Sequence, residues 1–229
     1  TYSYQVKDVA PKVFLFGNLG AVQLKNYSVA QIEKMLSDIK ADGLAIHLNP
    51  AQEAVQPEGT TQFSGVYKLI DKVSKELSKP VYVKEVGHGI SATVAEQLAK
   101  TKISALDVNG AGGTSWAKIE YLRKTKHKAG PYEEFGIPTA DAIQQCRKVF
   151  PRTLIATGGI KNGFDVVKSL VLGADVCGMA YPILVAQDKG GAQGVKEFLE
   201  KTADEIRTGL FLLGAKNISE LKKLKPLQN

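Results

Sequence analysis

Apolar residues in this chain gather in short runs, and the stretches between them repeat with a helical period. The runs are VFLFGNLG (13–20), GLAIHLN (43–49), PVYVKEV (80–86), ALDVNG (105–110), TLIATGG (153–159) and DVCGMA (175–180). They are nearly continuous rather than alternating, which predicts parallel strands covered on both faces. Residues 29–41, 66–78, 91–101, 139–150 and 163–173 carry apolar side chains at helical spacing, with charged residues opposite. Ser28, Ser91 and Thr139 stand where N-caps are expected. The alternation predicts an α/β fold with a parallel sheet, in one domain over 1–229. Glycines and polar residues collect at the C-terminal ends of the runs, where both barrels and open doubly wound sheets bind ligands.

Composition narrows the function classes. The chain has 229 residues, with 44% hydrophobic content, ordinary for a globular protein. Its two cysteines, Cys146 and Cys177, lack metal-ligand spacing and point to a reducing, cytoplasmic setting. No run reaches the roughly 18 apolar residues of a membrane helix, and Thr1 does not open a signal peptide. The net charge is +7, with lysine clusters at 124–128 and 222–225. Neither cluster is interleaved with aromatics and no zinc-finger spacing occurs, so no nucleic-acid partner is expected. A mildly positive field suits a small anionic substrate.

Several strand ends carry groups with chemical potential. TLIATGGIKNG places Gly158 and Gly159 before a helix start at Gly163, where backbone N–H groups can approach a phosphate or simply make a turn. In ALDVNGAGGTSW, Thr114 can cap the following helix, donate to a ligand phosphate, or both. Lys84 at the end of PVYVKEV needs an anion, either a ligand or a salt bridge to Glu85 or another acid. His88 reads as loop. Asn18 in GNLG can meet the edge of a flat heterocycle or close a local turn. HLNPAQEAVQPEG (47–59) packs His47, Asn49, Gln52 and Glu53 into a few positions after a buried-looking strand.

Taken together, HLNPAQEAVQPEG, VKEVGHGIS, GAGGTSW and GGIKNGFDVVKSLVLGADVCGMA resemble type 2 isopentenyl-diphosphate isomerases, FMN-dependent enzymes with a TIM (β/α)8 barrel. The resemblance runs from about Thr1 to Lys223, and HLNPAQE…QPEG is its specific part. It implies interconversion of isopentenyl and dimethylallyl diphosphate with reduced FMN as acid–base cofactor, NADPH to reduce it, and Mg²⁺. It places Glu53 on the metal, Gln52 beside the reacting carbons as the catalytic residue, and His47 and Asn49 on the diphosphate. It assigns Asn18, Lys84, Asn109 and Thr114 to FMN, and Gly158, Gly159, Ile160, Lys161, Ala180 and Tyr181 to its phosphate end. A hard cation that keeps several waters and takes few carboxylates suits a single Glu beside a diphosphate. Homo-oligomers, tetramers or octamers, are typical of the resemblance.

Against that family the chain carries six βα units, corresponding to barrel strands three to eight. The first two strands, with their flavin- and diphosphate-binding residues, are expected in a preceding segment. Lys161 replaces the usual Arg and Tyr181 a common Leu, Asn109 stands for a small residue, and the loop at 124–136 is short. An inactive fragment is one alternative. An FMN-dependent hydroxy-acid oxidase or dehydrogenase is another, but it needs a His base and arginines for the carboxylate. The loop after the fourth run is Gly-Gly-Thr-Ser-Trp, and the arginines are only Arg123, Arg147, Arg152 and Arg207.

Overall fold

The computed structural model describes residues 5–125 and 130–224. Lys126 and Lys128 of the first basic cluster and Lys225 of the second lie outside the described residues. Six strands form one parallel sheet: β1 (Phe16–Gly20), β2 (Gly43–His47), β3 (Val81–Lys84), β4 (Ala105–Asp107), β5 (Thr153–Ala156) and β6 (Val176–Cys177). Their order in the sheet is their order in the chain. That excludes the doubly wound alternative, whose strand order reverses at a switch point. It leaves six consecutive βα units of a (β/α)8 barrel, with β1 and β6 at the open edges.

The helices are α1 (Val29–Asp38), α2 (Pro50–Val55), α3 (Val66–Glu76), α4 (Ala92–Ala99), α5 (Trp116–Thr125), α6 (Thr139–Val149), α7 (Gly163–Val171), α8 (Tyr181–Leu212) and α9 (Ile218–Leu221). Ser28 starts α1 with a full capping box, its Oγ accepting from the Gln31 N–H while the Gln31 side chain accepts from the Ser28 N–H. Ser91 caps α4 in the expected way. Thr139 does not cap α6. Pro138 holds the N-cap position, and Thr139 Oγ1 instead donates to the Gly158 carbonyl at 2.6 Å. Proline fits there because a helix's first N–H groups lack intrahelical partners.

The expectation of strands covered on both faces holds for β2 and β4, buried on both sides except at His47, but not for the edge strands. Leu44, Ile46, Val81, Val83, Leu106 and Leu154 point to the helices and are buried against Ile32, Ile70, Leu98 and Ile143. Each such side chain contributes about 1.5–3 kcal/mol by leaving water. The other face is concave and partly open, with Phe16 37% and Val176 49% exposed. Phe14, Phe16 and Tyr82 cluster on it, the ring centroids of Phe16 and Tyr82 4.6 Å apart. At these edge strands a single covering layer explains the exposure, since the six units do not close. The 32-residue α8 bends at Gly191, whose φ of 57° departs from the helix, and packs along α7.

Candidate active site

Parallel register sets His47 beside Lys84 and Lys84 beside Asp107, so that all three project from the concave face at the strand ends. Asn18 lies one strand over, its Nδ2 3.1 Å from His47 Nδ1. Burial, then the nearby Lys84 charge, holds the His47 imidazole below its ordinary range. Burial also lowers the Lys84 ammonium, against the attraction of Asp107 and Glu85. Lys84 Nζ donates to the Glu85 carbonyl at 2.9 Å, so the expected alternative of a Lys84–Glu85 carboxylate bridge is not what forms. The Glu85 carboxylate turns instead into its own loop, where Oε2 accepts from the N–H groups of Val86, Gly87 and His88.

Asp107 was not singled out by the sequence. Its carboxyl is buried and pushed up to about 6 by desolvation, although Thr157 Oγ1 donates to both of its oxygens and Asn109 N–H to one. It therefore gives Lys84 a neighbour whose charge varies near neutrality.

The segment 47–59 contains a helix, α2, entered through Asn49 with Pro50 at its first position. One turn of helix brings Asn49 and Glu53 together, with Asn49 Nδ2 donating to Glu53 Oε1 at 2.8 Å. The other Glu53 oxygen accepts from the Thr60 N–H at 2.5 Å, which folds the segment back on itself. Gln52 faces α5, its Nε2 3.4 Å from Glu120 Oε1. Glu120 is buried, with Arg123 Nη1 donating to its second oxygen at 2.6 Å. Glu120 was not identified from the sequence either. Among the described residues no three His, Cys, Asp or Glu side chains gather as a metal site. Glu53 and Glu58 line the same pocket, so a cation here would meet few carboxylates and leave positions for other oxygen ligands.

The glycine-rich ends of β4 and β5 pack backbone against backbone. A Cβ on Gly158 would lie 2.1 Å from the Gly110 oxygen, and one on Gly159 2.5 Å from the Gly112 oxygen. Both have positive φ, 90° and 78°. The N–H groups of Gly158, Gly159 and Ile160 make no hydrogen bond among the described residues, which fits an anion-binding nest. The first N–H of α7 offers less, because Gly163 N–H donates to Glu205 Oε2 at 2.7 Å. Lys161, next to Ile160, and Ala180 and Tyr181, after β6, are exposed. Asn109 has a φ of 33°, and Thr114 is exposed at the same end of the sheet. Thr114 is not the cap of α5, since Ser115 Oγ accepts from the Lys118 N–H. The unpaired N–H groups, the glycine cradle and the half-buried lysine together fit a phosphate-bearing flat cofactor.

Residues 25–225 match the family described as FMN-dependent dehydrogenase. The chain belongs to that family. It is 42% identical to an isopentenyl-diphosphate delta-isomerase of Pyrococcus abyssi, over 97% of this chain and 62% of that protein. Proteins of the same name from Methanosarcina barkeri and Deinococcus radiodurans are each 42% identical and are covered over 60% and 66% of their length. The chain thus spans about three fifths to two thirds of these relatives. Among solved structures, a mandelate oxidase variant superposes with a TM-score of 0.66 at 16% identity, covering 93% of this chain and 63% of that one. An inosine 5′-monophosphate dehydrogenase from Legionella pneumophila superposes at 0.62 and 20%, covering 97% and 74%. At those identities the likeness is one of fold.

Proposed function

We propose that the protein carrying this chain isomerises isopentenyl diphosphate to dimethylallyl diphosphate for isoprenoid biosynthesis, with FMN bound in its reduced form and Mg²⁺ on the diphosphate. The observation that carries the reading is the placing of the Asn49–Gln52–Glu53 cluster at the end of β2, beside a strand-end row of Asn18, His47, Lys84 and Asp107. A neutral His47 and the Asn49 amide are suited to diphosphate oxygens. Glu53 supplies the one carboxylate that a hydrated Mg²⁺ on a diphosphate needs. Gln52, held toward Glu120, stands where the reacting carbons would pass.

Lys84, Asn18, Asn109 and Thr114 would hold the flavin. Gly158, Gly159, Ile160, Lys161, Ala180 and Tyr181 would surround its phosphate. Bound and reduced, FMN supplies the proton donor and acceptor for moving a double bond, and NADPH primes it. The chain's own residues would supply position and charge: Lys84 would hold the anionic flavin, and His47, Asn49 and Glu53 would hold the diphosphate and its cation. Cytoplasmic location and a homo-oligomeric state complete the reading. Among the described residues no helix is long and apolar enough to cross a membrane.

Isomerisation followed by NMR, with the full-length protein, Mg²⁺ and anaerobically reduced FMN, tests this. Turnover of isopentenyl diphosphate without net flavin oxidation is the expected result. Flavin reduction by 2-hydroxy acids, without isomerisation, would replace it with the oxidase reading.

A further inference from the structure

His88 has no part in the site as described so far, yet it is one of the most buried polar residues of the fold. Its Nε2 accepts the N–H of Ala117 at 3.4 Å, in the first turn of α5. The first N–H groups of a helix have no partner within it. Here Ser115 Oγ takes that of Lys118, and His88, reaching across from the loop after β3, takes that of Ala117. Because Nε2 accepts, the ring proton sits on Nδ1, assigned from this network. Nδ1 has no hydrogen bond; Glu85 Oε2 lies 3.6 Å away. That oxygen accepts from three backbone N–H groups of the loop, one of them that of His88 itself, which holds the His88 backbone in place.

The same loop touches the other strand ends. A Cβ on Gly87 would lie 2.3 Å from the Thr114 carbonyl oxygen, Gly89 N–H donates to Asn109 O at 2.9 Å, and Ile137 N–H donates to His88 O at 2.8 Å. Thr114 precedes α5 and Glu120 lies one turn beyond Ala117. We propose that His88 is a positioning residue that caps α5 from outside, setting Thr114 at the flavin site and Glu120 against Gln52. The proposal rests on the FMN-isomerase reading of the site.

Two substitutions separate this role from packing. His88→Gln can place its acceptor oxygen Oε1 where Nε2 stands, at the same number of bonds from Cβ. His88→Phe fills the space without an acceptor. In the full-length protein, His88→Phe is expected to speed amide exchange in the 115–119 peptide about fivefold, the loss of one cap. It should also lower kcat for isomerisation about tenfold or more, as displaced catalytic groups do, with a smaller change in KM. His88→Gln should stay within about threefold of the unmodified protein on both measures. Equal damage from both substitutions, or none from His88→Phe, overturns the proposal. An unmodified protein that binds no FMN removes the reading of the site, while the exchange rates still decide whether His88 caps α5.

Discussion

Gln52 and Glu120 meet across the packing of α2 on α5, Nε2 to Oε1 at 3.4 Å, although 68 residues separate them in sequence. It orients the Gln52 amide together with two contacts along α2, Nε2 to Gln56 Oε1 and Asn49 Nδ2 to Oε1, each also at 3.4 Å. Glu120 in turn is held by Arg123, which also reaches Glu58 at 3.0 Å. A Gln side chain is otherwise long and mobile, and an amide with the role proposed for Gln52 would gain from such a tether.

Removing the tether should therefore lower turnover more than it lowers binding. Glu120→Ala is expected to reduce kcat for isomerisation by about 10- to 100-fold, the range for misplaced catalytic groups, with KM changed far less. Glu120→Gln retains an acceptor and should lose less. Steady-state kinetics on the two variants checks the order, and a pure KM effect in Glu120→Ala would assign Glu120 to substrate binding instead.

In the proposed site Lys84 would bring its charge to the flavin at the cost of burial, which already depresses its pKa. Hydrogen bonds to a charged group contribute about 1.5–3 kcal/mol, so Lys84→Met should weaken FMN binding by roughly 10- to 100-fold. Quenching of FMN fluorescence on titration reads this directly. An unchanged affinity would move Lys84 from the flavin to the fold.

The backbone contact between the β4 and β5 loops leaves no room at Gly158. Gly158→Ala puts a Cβ 2.1 Å from the Gly110 oxygen at a φ of 90°. The two loops must separate, for a loss of about 2 kcal/mol or more in stability. FMN binding should fall with it, because the Gly158–Ile160 N–H groups move away from the phosphate. Denaturant unfolding and flavin titration should both register the change.

How much of this was legible beforehand follows from sequence distance. The strands were readable because each is a compact apolar run, and Ser28 was readable because its capping partner Gln31 lies three residues on. Thr139 misled because Pro138, a poor cap by side chain, starts the helix while the threonine hydroxyl serves Gly158 across the sheet. Segment α2 was hidden because it is only six residues long and begins at a proline. Most of α8 was missed because a glycine pair interrupts its pattern. Asp107, Glu120 and His88 gave no local signal, since their partners Thr157, Gln52 and Ala117 lie 50, 68 and 29 residues away.

Asp107 gives the pH dependence. Its folded-state pKa, about 6, lies above the ordinary 3.8, and burial is the main cause. The folded protein therefore holds this proton more tightly than the unfolded chain. That stabilising contribution is fully present below pH 4 and is lost as pH rises through 6, a difference on the order of 3 kcal/mol. Asp107→Asn removes the charge while keeping an oxygen for the Thr157 hydroxyl. It should raise stability by up to about 2–3 kcal/mol at pH 8 and by little at pH 4. The same substitution takes away the negative neighbour of Lys84, so the lysine pKa should fall further and FMN affinity at alkaline pH should drop. Thermal unfolding across pH 4–8 with flavin titration at pH 8 measures both effects. A variant less stable at pH 8 than the unmodified protein would mean that the Asp107 carboxylate is stabilised by Lys84 and Thr157 beyond its cost of burial.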